Sequence, residues 1–192
     1  SYDNVIATNL GTVISNKDNL TVSTVEHLMA AIWGCDIDNM IIEIDGPEVP
    51  IMDGSSEPFS FLIECAGITN QQQERKVIEI LKNISFKEDD KFIHVEPAND
   101  FTLDLEVDFR KIGRQKFSYI AKSTSFKTDI CRARTFCFES DIEQMRKNNM
   151  AKGGSLKNAI VLNDKGKIIN EEPLRYKDEF VRHKVLDFIG DI

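Results

Sequence analysis

Strict alternation of apolar and polar side chains from Phe101 to Phe109 is the feature that most constrains the fold of this chain. Successive side chains of a β-strand point to opposite faces, so a period of two predicts a strand with one buried and one solvated face. Such half-buried strands are typical of antiparallel sheets. Strand-like and helical stretches are also segregated within each half of the sequence. This arrangement predicts an α+β fold, with sheets layered on helices, rather than a doubly wound sheet.

Start and stop signals predict three main helices. Ser23 and Glu26 have the S-x-x-E spacing of a capping box, and Gly34 is a stop signal. Pro58 is tolerated in the first turn of a second helix. The main helices are predicted over about 23–34, 56–67 and 176–189, short helices over about 125–132 and 141–147, a buried strand over 40–44, and further strands over 4–8, 77–80, 92–95, 117–121 and 159–162.

Composition excludes several classes of protein. The 192 residues are 41% hydrophobic and 29% charged, which is enough to bury a substantial core. A net charge of −8 disfavours general nucleic-acid binding. No apolar run approaches the length of a membrane span, and no signal peptide is visible. The four cysteines lack C-x-x-C spacing, which predicts reduced thiols in a cytoplasmic protein.

A polar, nonperiodic stretch after residue 70 is the best candidate for a linker. We therefore predict a first α+β domain over 1–70, a linker over 71–75 and a second α+β domain over 76–192. Ser1 leads almost directly into a strand-like stretch, and the end at Ile192 is apolar with no polar tail. Both ends are expected to be cut from a longer chain, which leaves each domain incomplete.

Two acid–imidazole pairs on predicted helices suggest a metal site. His183 and Asp187 are four positions apart, so both side chains project from one helical face and can reach a single ion. Glu26 and His27 are adjacent, and adjacent helical side chains point about 100° apart. This geometry suits one ligand, His27, beside a carboxylate that reaches a water molecule on the metal. Two imidazoles and one carboxylate leave a position open, as in catalytic zinc sites.

Simpler interpretations of the same residues stay open. His183 and Asp187 could form a surface ion pair worth only about 0.2–0.5 kcal/mol. Glu26 could merely cap its helix. The third histidine, His94, lies among apolar strand residues and is expected to be structural. A set of two histidines and one carboxylate also suits ferrous iron in oxygen chemistry, although a neighbouring Glu26 favours hydrolysis.

Five longer strings carry a resemblance to a known family. They read STVEHL at 23–28, GPEVPIMDGS at 46–55, ARTF at 133–136, KGGS at 152–155 and EFVRHKVLD at 179–187. In this order they resemble the UDP-3-O-acyl-N-acetylglucosamine deacetylases, zinc amidases of bacterial lipid A synthesis. The resemblance implies two similar α+β domains with the active site between them. It also implies a reaction that removes acetyl from UDP-3-O-(3-hydroxyacyl)-N-acetylglucosamine, the committed step of lipid A biosynthesis.

The resemblance assigns the metal-binding and base positions. His27, His183 and Asp187 would hold one zinc ion per chain. Glu26 would be the general base that deprotonates the attacking water. The substrate would be the UDP-linked acylated sugar, and the protein is expected to act as a monomer without a membrane span or nucleic-acid partner.

Further positions follow from the same resemblance. Thr135 would stabilise the oxyanion, and Lys184 would contact the substrate near the metal. Asp191 would orient a histidine that acts as general acid. The implied positions of the fatty-acyl passage and sugar contacts are Phe136, Phe138, Ile142 and Ala151, and the glycine loop adds Gly154 and Ser155 as substrate-binding candidates.

One departure from the family pattern is important. Family members carry the general-acid histidine in a Gly-His motif downstream of the closing helix, and this sequence stops before it. We therefore expect the 192 residues alone to be impaired in catalysis. A rival hypothesis is a non-catalytic remnant that keeps the fold and binds the metal without the reaction.

Overall fold

The chain forms short sheets and helices, which a computed structural model describes over residues 2–109, 111–122, 124–147 and 151–192. The helices are α1 (Glu26–Gly34), α2 (Glu57–Ala66), α3 (Glu139–Lys147) and α4 (Glu179–Asp191), with a 3-10 turn at Tyr2–Asn4 and a π-helical turn at Phe126–Ile130. The strands are β1 (Val5–Ala7), β2 (Val13–Ser15), β3 (Thr21–Val22), β4 (Ile84–Glu88), β5 (Lys91–Val95), β6 (Thr102–Phe109), β7 (Gly113–Ile120), β8 (Phe136–Phe138) and β9 (Ile160–Leu162).

Most strand pairs are antiparallel. β1, β2 and β3 form one sheet in that order, and β4–β5 and β6–β7 are antiparallel hairpins. β8 and β9 pair in parallel. Separate helices and mainly antiparallel sheets confirm the predicted α+β class.

The alternation in β6 is confirmed, and it places the main core. Odd-numbered side chains of β6 are half-buried while even-numbered ones are exposed. Leu103 and Leu105 pack against a buried cluster that includes Leu186 and Ile189 of α4. Ala30 of α1 belongs to the same cluster. α4 is therefore held between α1 and the β6–β7 hairpin, which fixes the position of every side chain on its inner face.

The predicted capping box at Ser23 is wrong. α1 begins at Glu26, and no side chain caps its first turn. Ser23 instead pairs its backbone with the segment around Glu48, donating its N–H to Pro47 and accepting from Val49. The β-bridge holds Ser23 outside the helix, so Ser23 does not cap α1. The carboxylate of Glu26 instead accepts a hydrogen bond from Thr12.

The predicted strands over 40–44 and 77–80 are also wrong for this structure. Neither segment is assigned to a strand, and Ile41 and Ile78 are 90% and 94% exposed. A strand needs a hydrogen-bonding neighbour, and the described part of the chain supplies none to these two segments.

The remaining helices follow the predictions with shifted ends. α2 matches its predicted range closely, whereas α4 begins three residues later than predicted and reaches Asp191. The predicted helix over 125–132 is a π-helical turn. Within the ranges that the structure describes, no helix is both long enough and apolar enough to cross a bilayer.

Candidate metal centre

The first turn of α1 and the second half of α4 cross at a point of very close backbone approach. A Cβ atom on Gly190 would lie only 2.1 Å from the carbonyl oxygen of Glu26, so a glycine is required there. The hydroxyl of Ser56, which is fully buried, donates to the carbonyl oxygen of His27 at 2.7 Å. These contacts fix α1 against α4 and α2.

Three side chains that can bind a metal ion meet at this crossing. His27 projects from α1, and His183 and Asp187 project from successive turns of α4. One candidate ligand atom from each side chain lies within 4.8 Å of the other two. His27 Nε2 is 3.6 Å and His183 Nε2 is 3.3 Å from Asp187 Oδ1. The predicted ligand triad is therefore brought together, and a surface ion pair is excluded because His27 and His183 are 4% and 1% exposed.

A hydrogen bond sets the tautomer of His183. Its Nδ1 lies 3.0 Å from the carbonyl oxygen of Ala133. A carbonyl oxygen can only accept, so Nδ1 carries the proton and Nε2 of the neutral ring presents a lone pair. This arrangement, in which the second ring nitrogen is bonded to a backbone carbonyl, is typical of metal-binding histidines.

The protonation states also suit metal ligands. Burial lowers the pKa of His27 to about 4, and burial likewise lowers the pKa of His183. Burial alone would raise the pKa of Asp187, but His183, Lys184 and His27 together lower it. At neutral pH the set is two neutral imidazoles and a carboxylate, which are the forms that bind metal ions.

The donor set fits a divalent cation for a structural reason. The lone pair of His183 Nε2 faces Asp187 Oδ1 at 3.3 Å, and both atoms are acceptors. Asp187 Oδ1 and His27 Nδ1 are buried without a hydrogen-bond partner among the described residues. Two buried acceptors that face each other without a donor, as His183 Nε2 and Asp187 Oδ1 do, are unfavourable. A cation bound between them removes this cost.

Glu26 lies beside the triad on α1 and is 7% exposed. Its Oε2 accepts the backbone N–H of Thr12 at 2.9 Å. Burial raises the pKa of Glu26, and although the Thr12 hydrogen bond opposes that shift, Asp187 and Asp191 reinforce it. A carboxylate with a raised pKa near a metal site is suited to accept a proton.

Lys184 and Asp191 lie on the same helix. Lys184 Nζ donates to Asp187 Oδ2 at 2.7 Å and lies 5.6 Å from the ring centroid of Phe136. Asp191 Oδ1 accepts the hydroxyl of Thr12 at 2.7 Å. Burial raises the pKa of Asp191, with the Thr12 bond acting in the opposite direction. Lys184 therefore contacts Asp187 of the triad, and Asp191 shares Thr12 as a hydrogen-bond partner with Glu26.

Thr135 and Phe136 belong to the chain segment that contacts His183 of the triad. The Thr135 N–H donates to the carbonyl oxygen of Gly54 at 2.7 Å, which ties it to the turn before α2. Two residues earlier, Ala133 holds His183, and the Phe136 ring lies 6.3 Å from the His183 ring. The oxyanion role of Thr135 stays a prediction.

The other predicted substrate positions lie on β8, on α3 and in the glycine loop. Phe138 packs with Phe136 around the parallel pair β8–β9, and Ile142 is half-buried on α3. Ala151 has a positive φ of 52° and accepts the N–H of Gly154. Ser155 is exposed in the turn that follows. Their part in binding substrate stays a prediction.

Several residues that shape the site were missed by the sequence reasoning. Arg134 and Glu179 form a buried ion pair, 3% and 0% exposed, with Arg134 Nε 2.9 Å from Glu179 Oε1. This ion pair ties the start of α4 to the segment that contains Ala133, whose carbonyl oxygen accepts the hydrogen bond from His183. Thr12 carried no motif. Gly190 lies just beyond the predicted end of the closing helix, where a glycine is ordinarily a stop signal, so its role in close packing was not apparent.

Two imidazoles and a carboxylate are buried at a helix crossing of an α+β fold. These features place the chain among α+β proteins that have a site for one metal ion. The family model described as LpxC, UDP-3-O-acyl N-acetylglycosamine deacetylase, matches residues 1–192. The chain belongs to this family, which is a family of metalloenzymes.

Individual relatives agree with the family assignment. A UDP-3-O-acyl-N-acetylglucosamine deacetylase of Shewanella violacea is 47% identical over 189 residues, covering 96% of this chain and 61% of the relative. Deacetylases of the same name from Thioalkalivibrio sulfidiphilus and Shewanella pealeana are 48% and 45% identical, and the matches cover 64% and 63% of their lengths. The chain thus spans somewhat less than two thirds of the length of these relatives.

Proposed function

We propose that the whole protein is a zinc-dependent deacetylase that removes the acetyl group from UDP-3-O-(3-hydroxyacyl)-N-acetylglucosamine in lipid A biosynthesis. The observation that carries the proposal is the meeting of His27, His183 and Asp187 within 4.8 Å, in a chain of this family, with Glu26 beside them. The substrate is proposed because the relatives are named as UDP-3-O-acyl-N-acetylglucosamine deacetylases.

Each residue has a chemical task in this proposal. His27, His183 and Asp187 would hold the zinc ion, which would supply Lewis-acid polarisation of the amide carbonyl and a lowered pKa for water. Glu26 takes the proton from the attacking water, and the Thr135 hydroxyl donates to the developing oxyanion. Lys184 contacts the substrate and holds Asp187 by its 2.7 Å hydrogen bond. Asp191 orients the histidine that protonates the leaving amine, which the resemblance places beyond residue 192.

We also propose the domain division 1–70, 71–75 and 76–192, with the site between the two domains. The triad supports it, because His27 comes from before the linker and His183 and Asp187 come from after it. The proposed acyl and sugar contacts are Phe136, Phe138, Ile142 and Ala151, and Gly154 and Ser155 are further proposed substrate-binding residues.

Metal content is the first test, and it should be made on the full-length protein. Elemental analysis should find about one zinc per chain in the wild type and almost none in His183→Ala. His94→Ala is the matched control, because His94 lies on β5 with 45% of its side chain exposed. Loss of zinc in both variants, or in neither, would contradict the assignment. Iron in place of zinc would support the oxygen-chemistry alternative.

The reaction is tested by measuring acetate release from the UDP-linked substrate. Glu26→Gln should retain zinc and lower kcat by about 10²–10⁴-fold, which is the usual contribution of a general base. Glu43→Gln, at an exposed position, should change neither. A full-length protein that binds zinc but releases no acetate would instead identify a non-catalytic remnant.

A further inference from the structure

The loop between β1 and β2 reaches two carboxylates that come from opposite ends of the chain. The backbone N–H of Thr12 donates to Glu26 Oε2 at 2.9 Å. The hydroxyl of the same residue donates to Asp191 Oδ1 at 2.7 Å. One residue therefore connects the first turn of α1 with the last turn of α4, through the side chain proposed as the general base and the side chain proposed to orient the general acid.

The loop fits closely against Glu26. A Cβ atom on Gly11 would lie 3.2 Å from Glu26 Oε1 and 3.7 Å from the Thr24 hydroxyl oxygen. The first distance is shorter than an ordinary van der Waals contact. On the other side, Gly190 allows α4 to approach the backbone of Glu26. Two glycines thus leave room for Glu26 to be enclosed by the loop and by α4.

Each of the two Thr12 hydrogen bonds engages one oxygen of a carboxylate. An ionised carboxylate has two oxygens, and the Thr12 N–H engages Oε2. Oε1, which Thr12 does not engage, would be the oxygen that accepts the proton in the proposed reaction. Fixing one oxygen limits rotation of the carboxylate, and correct orientation of a reacting group lowers the barrier by reducing the entropy lost in the transition state.

We infer that Thr12 is a positioning residue, which holds the carboxylates of Glu26 and Asp191 in their working orientations. The inference rests on the proposed deacetylation. Thr12 acts through these two side chains and not through the metal ligands, since its hydroxyl and N–H bonds both end on carboxylates outside the triad.

The kinetic test uses the full-length protein and the isosteric change Thr12→Val, which removes the hydroxyl and keeps the backbone N–H. Loss of the hydrogen bond that orients Asp191 should lower kcat about tenfold or more, because small misplacements of a catalytic group cost this much. KM should change less than about twofold, and zinc content should stay the same. Thr12→Ser should restore kcat. Thr21→Val on β3 is the matched control and should behave as the wild type.

A double-mutant cycle separates positioning from a general structural role. If Thr12 acts through Asp191, the effects of Thr12→Val on kcat and on Tm should both disappear in an Asp191→Ala background. Fully additive effects would overturn this half of the inference. The Tm comparison does not depend on activity, so it remains decisive even if the proposed function fails.

Hydrogen exchange tests the bond to Glu26 directly. The Thr12 amide, followed by NMR in metal-free protein, should exchange slowly in the wild type and markedly faster in Glu26→Ala. Glu43→Ala should leave its exchange unchanged. Unaltered exchange in Glu26→Ala, or wild-type kcat in Thr12→Val, would overturn the inference. A wild-type protein that releases no acetate but shows both activity-independent effects would overturn the proposed function instead.

Discussion

Gly190→Ala tests whether the close crossing of α1 and α4 builds the metal centre. Two effects oppose each other. Alanine is favoured over glycine in a helix by about 1 kcal/mol, which would stabilise α4. The new Cβ atom, however, would lie 2.1 Å from the carbonyl oxygen of Glu26 and 2.8 Å from its carbonyl carbon. Real Cβ atoms do not approach other atoms so closely.

The magnitudes decide the sign of this effect. Overpacking a close contact costs about 1–3 kcal/mol, and the upper end applies here because both clashing atoms belong to the backbone and cannot rotate away. Subtracting about 1 kcal/mol of helix propensity leaves a net loss of about 2 kcal/mol. In a protein of this size such a loss lowers Tm by roughly 5 °C.

The same clash should weaken metal binding. The helices relieve it by moving apart, and this separates His27 on α1 from His183 and Asp187 on α4. Thermal denaturation and zinc titration of the full-length protein measure both effects. Gly153→Ala is the control, because a Cβ atom there meets nothing within 4 Å. A Tm equal to or above that of the wild type, together with unchanged zinc affinity, would refute the reasoning.

Three further predictions concern the metal, the buried ion pair and pH. Zinc at about 100 times its Kd should stabilise the wild type by about 2.7 kcal/mol and leave His183→Ala unchanged, as measured by thermal shift. Glu179→Gln should destabilise by about 3–5 kcal/mol, because it removes the buried charge partner of Arg134 and leaves only the exposed Glu172, 3.5 Å from Arg134 Nη1, to balance the charge. Glu172→Gln, whose side chain is 79% exposed, should cost far less in denaturant unfolding. Burial raises the pKa of Tyr176 to about 12. Between about pH 10 and pH 12 the unfolded chain loses a phenol proton that the folded chain keeps. Stability should therefore fall as the pH rises through this window, and Tyr176→Phe should flatten the fall in an alkaline unfolding series.

Local periodicity predicted the elements whose partners are in the described chain. The alternation in β6 and the apolar face of α4 were predictable, because each depends on side chains that pack against one common core. The positions of His183 and Asp187 on one helical face followed from the same periodicity. The two acid–imidazole pairs suggested that His27 joins these residues at one metal, and the family resemblance assigned the set, whereas helical spacing alone does not place α1 beside α4.

Contacts between distant parts of the chain explain the failures. The S-x-x-E pattern at Ser23 indicated that a helix starts nearby, but the β-bridge to Glu48 holds Ser23 outside the helix, and α1 begins at Glu26 without a side-chain cap. The bond from Thr12 to Asp191 joins residues that no local pattern connects. The segment 40–44 has the composition of a buried strand but lacks a partner strand among the described residues.

The charges at the helix crossing explain why the same residues provide both stability and chemistry. Glu26, Asp187 and Asp191 are close enough that Asp187 and Asp191 each raise the pKa of Glu26, and Lys184 supplies one compensating positive charge beside Asp187. Buried carboxylates repel one another unless a cation is present. A divalent ion in the triad would therefore relieve the repulsion around Asp187 and, for the same electrostatic reason, ease ionisation of Glu26. Occupancy of the triad and readiness of the base are then coupled, so substitutions that loosen the metal should also change the protonation of Glu26.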